Sequence, residues 1–221
     1  MKKIPTLFTR DAESGLIRNE EEPRASLVFS GRCEATKKLD GTCCLFFGGN
    51  LWKRRMVRVE RPEGEGDIVQ IMILPSDDAI GTKTEAVRPI NLPDGFMAAS
   101  DVIWKDDGTG QVPGWVPVGL GPDDQYHNTA LATASAAMQR LSEGKTYELC
   151  GPKVQGNPQC LDHHCLIEHG TFRLMNVPTD FDGLKEYLTD FPMEGIVWWL
   201  DGSPYAKIKR RDFNLPWPVE G

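Results

Sequence analysis

Apolar residues in this chain fall mostly in short runs or alternate with polar ones, the spacing of β-strands rather than of long helices. Such stretches occur at Ser26–Phe29, Cys43–Phe47, Met56–Val59, Ile68–Leu74, Trp115–Val118, Thr146–Cys150, Phe172–Met175 and Ile196–Leu200. They are rich in Val, Ile, Phe and Trp and are bounded by Gly, Pro, Asp and Asn, which end strands in turns. Two segments instead follow the three- and four-residue step of a helix. Leu131, Ala134, Met138 and Leu141 predict one over Thr129–Glu143, with Asn128 as N-cap and Gly144 as its stop. Leu184, Tyr187 and Leu188 predict another that begins at Asp180 and ends before Pro192. Residues 1–25 are polar, close on Glu20-Glu21-Glu22-Pro23, and read as a loosely held lead-in. Residues 75–114 are heavy in Asp, Gly, Pro and Thr and read as loop-rich. Many short strands with few helices predict an α+β sheet protein, read as a single domain over residues 1–221.

Charge narrows the class of partner. With 25 Lys+Arg against 32 Asp+Glu the net charge is −7, which excludes a polycationic nucleic-acid coat but allows a locally basic groove. The length is ample for a core without disulfide staples. Six cysteines in 221 residues therefore predict reduced thiols. No run approaches the roughly 18 apolar residues of a membrane span, and MKKIPTLFTRDAESG has no apolar run of signal-peptide length. The expectation is a soluble cytoplasmic protein.

The segment Thr36-Lys37-Lys38-Leu39-Asp40-Gly41-Thr42 places a primary amine, one spacer and an Asp-Gly turn ahead of an apolar strand. Alone it reads as an ordinary hairpin with a solvated lysine, since short motifs are weak evidence. Its successors add weight. Trp52-Lys53-Arg54-Arg55 is a basic cluster, and Glu148 lies inside the apolar strand Thr146–Cys150. Phe172 follows in another apolar stretch. Glu194-Gly195-Ile196-Val197 opens a strand with a carboxylate, and Lys207 and Lys209 share a face at period two.

Lys-x-Asp-Gly, a strand glutamate, Glu-Gly-Ile-Val and Lys-x-Lys, in that order, resemble the covalent nucleotidyltransferase superfamily of ligases and capping enzymes. KLDGTCC at Lys38–Cys44, GWVPV at Gly114–Val118 and ELCGPKVQGNP at Glu148–Pro158 are similar to one branch, the vertebrate-type 5′-to-3′ RNA ligases of the RNA ligase 1 family. So are HCLIEHGTF at His164–Phe172, EGIVW at Glu194–Trp198 and the Trp217-Pro218 pair. The likeness runs from about Thr36 onward. It implies a nucleotidyltransferase (adenylation-domain) fold, antiparallel sheets flanked by helices around an ATP cleft. It implies ATP-dependent joining of 5′-phosphate and 3′-hydroxyl RNA ends through lysyl-AMP, in RNA repair; a monomer is the separate expectation for oligomeric state.

By this resemblance Lys38 is the nucleophile, and the Lys-x-Asp-Gly spacing selects it over Lys37, which stands where the family carries an acidic residue. An unperturbed lysine with a pKa near 10.4 is neutral only about once in 10³ molecules at neutral pH, so cations must favour the free amine. Lys207, Lys209 and a bound metal are the candidates. Thr36 and Lys37 flank the nucleophile and are placed with the nucleotide. Arg54 would meet ribose or the 3′-terminal sugar, Glu148 the ribose hydroxyls, and Phe172 the adenine face. Glu194 is the expected ligand for Mg²⁺ or Mn²⁺. Lys53, Arg55, Arg58, Arg210 and Arg211 are read as a phosphate-tracking surface, with a solvated charged face as the plain alternative.

Two rival readings accompany this one: a GTP-dependent capping-type guanylyltransferase, and a catalytically inactive RNA-binding module of the same fold. Cys160, His163, His164 and Cys165, with Cys150 and His169 near in sequence, carry zinc-type ligands but lack knuckle spacing, so a zinc site is disfavoured. His127, His164 and His169 match family histidines without an assigned role.

Overall fold

The computed structural model describes residues 4–62, 69–73 and 83–219. Ile68 and Leu74, at the ends of one expected strand, and residues 75–82 of the expected loop-rich stretch lie outside them. The described elements in chain order are β1 (Phe8–Arg10), β2 (Ile17–Glu21), α1 (Ser26–Phe29), β3 (Glu34–Lys38), β4 (Thr42–Phe47), β5 (Asn50–Glu60), β6 (Val69–Ile73), β7 (Lys83–Pro89), β8 (Met97–Ala98), β9 (Ile103–Trp104), β10 (Thr109–Pro117), α2 (Gln125–Ala136), β11 (Thr146–Cys150), β12 (Cys165–Glu168), α3 (Phe181–Asp190), β13 (Gly195–Leu200) and β14 (Ser203–Lys209). This is an α+β architecture of mainly antiparallel sheets with few helices among the described residues. No described helix is long and apolar enough to cross a membrane. The chain divides into two compact units, a division the apolar pattern does not signal.

One unit is built mainly from Thr42–Leu149 and His163–Leu166. Its described strands form a sheet in the order β12-β11-β4-β5-β7-β6-β8-β10-β9, with β5 also paired along its length to β10. Val57, Val59, Ile71, Val87, Ala98 and Val112 form an apolar cluster within it, where each buried Val or Ile stabilises by about 1.5–3 kcal/mol. The expectation of a loop-rich segment up to residue 114 is corrected here, because its described part carries β7, β8, β9 and the start of β10. The glycines that suggest loops are packing residues. A Cβ at Gly110 would lie 2.7 Å from the Trp104 ring, and one at Gly114 would lie 2.4 Å from the Met97 carbonyl oxygen.

The helix expected over Thr129–Glu143 is α2, which starts one turn earlier and ends at Ala136. Its buried face is His127, Ala130 and Ala134; of the expected stripe only Ala134 is buried, Leu131 and Leu141 are half-buried, and Met138 is exposed. Asn128 is not the cap. It lies inside the helix and donates from Nδ2 to the Gly119 carbonyl.

The other unit comprises Lys3–Gly41, Cys150–Asp162 and Ile167–Gly221. A three-stranded antiparallel sheet in the order β14-β13-β3 packs its apolar side into a core of Leu7, Phe8, Ile17, Val28, Leu184, Leu188, Ile196, Trp198 and Ile208. Three expectations are corrected here. The lead-in is held: β1 and β2 pair, and Leu7 and Phe8 are buried. Ser26–Phe29 is a helical turn, because Pro23 begins a 3-10 turn capped by Glu22 and the buried residues Ala25 and Val28 fall three apart. Phe172–Met175 makes only a single bridge, Arg173 to Thr36, before Asn176 turns the chain at φ +55°. The expected second helix is α3, with Asp180 as N-cap accepting from the Gly183 N–H and Leu184 and Leu188 buried.

Candidate active site

The register of β3, β13 and β14 determines what the Lys-x-Asp-Gly lysine meets. Lys38 lies opposite Gly195, which lies opposite Lys209; Thr36 lies opposite Val197, which lies opposite Lys207. Strand alternation therefore puts Thr36, Lys38, Lys207 and Lys209 on one face, and Lys37 on the other with Ile196 and Ile208. Nothing heavier than hydrogen fits between the two lysines at position 195, since a Cβ there would stand 2.1 Å from the Ile208 carbonyl oxygen.

Glu194, just before β13, reaches both amines. Its Oε2 lies 2.5 Å from Lys38 Nζ and its Oε1 2.8 Å from Lys209 Nζ. The carboxylate is buried, at 2% exposure. Two ammonium groups on one buried carboxylate leave a local excess of positive charge, which suits a site for phosphate. Lys38 Nζ also donates to the Leu39 carbonyl oxygen at 3.2 Å. The far side is braced by Asp212, whose Oδ2 accepts from the Lys209 N–H at 2.8 Å and whose Oδ1 pairs with Arg10 at 2.5 Å.

The remaining residues of this unit divide. Phe172 is 47% exposed, so its ring is presented rather than packed, and its carbonyl accepts from the Lys37 N–H at 2.8 Å. Thr36 does not present a free hydroxyl: it donates to the Val197 carbonyl and accepts from Trp199 Nε1 at 2.8 Å, joining β3 to β13. That hydroxyl is engaged within the sheet. Lys37 is likewise not brought to the face of Lys38. Lys207 shares that face, while its backbone pairs with Pro5 and Leu7.

In the first unit, strand registers align four residues across four strands. Glu148 opposes Cys43 across β11 and β4; Cys43 falls one position beyond the Cys44–Lys53 pair, alongside Arg54; and Arg54 opposes Trp115. The Arg54 guanidinium sits 5.1 Å from the Trp115 ring centroid, a cation–π contact. Its Nη1 is buried without a hydrogen-bond partner, and burial lowers its pKa from the ordinary arginine value. A buried guanidinium with an unused donor is suited to an oxygen ligand. Glu148, at 7% exposure, places an inward carboxylate on the same row.

The phosphate-tracking set is only partly at the surface. Lys53 points the opposite way from Arg54 and makes a buried ion pair with Asp124. Arg210 is buried, donating to the carbonyls of Pro216 and Leu188. Arg55, Arg58 and Arg211 are exposed. Asp124 also accepts from the Gly119 N–H at 2.7 Å. Burial alone would raise its pKa, but Lys53 and this N–H hold it below the ordinary carboxylate value. His127 lies 3.7 Å from the same carboxylate, with both ring nitrogens buried and unpartnered. Burial lowers its pKa despite Asp124, aided by Lys53 and Arg55. His164 stacks on Tyr126 at 4.6 Å. Burial raises the Cys165 thiol pKa, and Cys160 is exposed.

Sequence reasoning misses Asp212 and Trp115. The first is signalled by its three-residue spacing from Lys209, a capping arrangement. The second becomes visible only through strand register.

A family model described as RNA ligase 1 matches residues 123–221. That stretch holds Glu148, Phe172, Glu194, Lys207, Lys209 and Trp217. RNA ligase 1 of Danio rerio is 29% identical over 99% of this chain and 82% of its own length, a span that takes in Lys38 and Arg54. RNA ligase 1 of Mus musculus is 27% identical over 84% of this chain and 68% of its own, and that of Pongo abelii 29% over 83% and 68%. Together the ordered motifs and these matches support an RNA ligase 1 family member.

Proposed function

We propose that this chain is an ATP-dependent RNA ligase of the nucleotidyltransferase fold that joins 5′-phosphate and 3′-hydroxyl RNA ends, in cytoplasmic RNA repair. The observation that supports it most is the Lys-x-Asp-Gly lysine held with a second lysine on one buried carboxylate. The relatives' name supplies the reaction class.

In the first step Lys38 Nζ forms a bond to the α-phosphorus of ATP, the α–β anhydride bond breaks, and pyrophosphate leaves. Glu194 Oε2 is the nearest acceptor for the proton that the amine gives up. Lys209 and Lys207, fixed on the same face, balance the charge that moves onto the leaving pyrophosphate. In the second step the phosphoramidate bond breaks as an oxygen of the RNA 5′-phosphate bonds to the adenylate phosphorus. In the third the 3′-hydroxyl attacks the 5′-phosphorus and AMP leaves. Arg54 and Glu148 are assigned to sugar hydroxyls, and the exposed ring of Phe172 to adenine.

Glu194 is also the residue suited to Mg²⁺ or Mn²⁺, which take carboxylate oxygen and keep several waters. Both its oxygens are engaged by amines, so an ion would take one of them only where Lys38 or Lys209 gives up its contact. When bound, such an ion would offset phosphate charge.

The test is incubation with α-labelled ATP or GTP and a divalent cation, followed by denaturation. Label retained from ATP alone is the expected result. Label from GTP would indicate a capping-type enzyme, and no label with salt-sensitive RNA binding would indicate an inactive module.

A further inference from the structure

The turn that follows Lys38 is held from the far end of the chain. Asp40, the acidic residue of Lys-x-Asp-Gly, accepts a hydrogen bond on Oδ2 from Trp217 Nε1 at 2.8 Å. Trp217 is itself anchored. The buried Arg210 donates from Nε to the carbonyl of Pro216, the preceding residue, at 2.9 Å, and from Nη1 to the Leu188 carbonyl near the end of α3. The Leu215 N–H returns to the Arg210 carbonyl at 3.0 Å. A guanidinium buried against carbonyl oxygens, with no carboxylate among its described partners, fixes backbone rather than charge.

The linkage runs from α3 through Arg210 and Pro216 to Trp217, and from there to Asp40. Its far end matters because the ladder of β3 stops at Lys38. Beyond that point Asp40 makes no other side-chain hydrogen bond among the described residues, and the Leu39 carbonyl of this turn is one of the two groups that hold the Lys38 amine. The other is Glu194. Turning the peptide after Leu39 moves that carbonyl and with it the amine.

We infer that Trp217 is a positioning residue for the Lys38 amine, acting through Asp40 and the Leu39–Gly41 turn. This rests on the reading of Lys38 as the nucleophile. Misplacing a nucleophile by even an ångström lowers rate steeply while leaving substrate binding largely intact. The effect belongs to the step in which Lys38 attacks. Sealing of RNA that already carries 5′-AMP does not use Lys38 as a nucleophile.

The experiment compares wild type and Trp217→Phe, which keeps an aromatic ring but removes the N–H, in two single-turnover assays. The expected result is that adduct formation from ATP slows about tenfold or more, with the ATP concentration for half-maximal rate unchanged within about twofold. Sealing of pre-adenylylated RNA stays near wild type. Equal slowing of both steps, or no slowing of either, overturns the inference. If Trp217→Phe does not fold by circular dichroism, Asp40→Asn, which leaves the indole packed and weakens the acceptor, must show the same selective loss. Wild-type protein that forms no adduct would instead overturn the reading of Lys38.

Discussion

Lys38 and Glu194 are 156 positions apart in the chain and 2.5 Å apart in the fold. The contact exists because β3 and β13 pair with Lys38 opposite Gly195, so the residue before Gly195 arrives beside the lysine. Register, rather than proximity in sequence, assembles the charge cluster.

Replacing Glu194 by Gln keeps its shape and removes its charge. At saturating ATP the single-turnover rate of adduct formation is expected to fall about 10²-fold or more, the scale for losing a fixed electrostatic group. An unchanged rate in a rapid-quench assay would remove Glu194 from the chemistry.

Gly195→Ala tests the close approach that lets two lysines share one carboxylate. Its Cβ meets backbone, which cannot swing aside as a side chain tip can. The variant is expected to lose about 1–3 kcal/mol of stability, as overpacked positions do, measured by urea unfolding. Wild-type stability would mean that the strands do not pack this closely.

The basic cluster after the first motif separates into two roles. Lys53 and Asp124 are both largely buried, with side-chain exposures of 12% and 7%. Lys53→Met strands the carboxylate and is expected to cost about 3 kcal/mol. Arg58→Ala, at an exposed position, should change stability by less than about 0.5 kcal/mol. It should also lower RNA affinity with a shallower salt dependence. Thermal unfolding and filter binding across a salt series check the pair.

His127 predicts a pH dependence. Its folded pKa is below the ordinary 6.5, so below that pH the unfolded chain takes up a proton that the folded chain resists. The unfolded state then binds more protons, and stability rises with pH. Its contribution is present above about 6.5 and is lost as pH falls from there toward the folded value. His127→Gln should flatten unfolding midpoints measured between pH 7 and 5. The Asp124 carboxyl is held below 3.8, so its stabilising contribution is present throughout this window and is lost only as pH falls below about that value.

Much of the site was legible because its motifs are local. Lys-x-Asp-Gly, the strand glutamate and Lys-x-Lys each combine residue type with a short spacing, and period-two alternation alone puts Lys207 and Lys209 together. The strands at Cys43–Phe47, Thr146–Cys150 and Ile196–Leu200 carry strong β-branched and aromatic signals, and they form as expected. What failed depended on long-range packing. Gly110 and Gly114 imitate loop glycines but accommodate Trp104, Phe96 and the Met97 backbone inside a sheet. Lys53 and Arg210 look like surface cations until a distant carboxylate and two carbonyls bury them. Composition carries no record of such partners.

The central claim is that the Lys38 amine becomes bonded to adenylate. Intact-protein and peptide mass spectrometry after exposure to ATP and a divalent cation measures it most directly. The account predicts a gain of one AMP located on Lys38, lost in Lys38→Ala and kept in Lys37→Ala, whose side chain lies on the opposite face. An adduct that persists in Lys38→Ala, or a wild-type protein that gains no AMP, would contradict it.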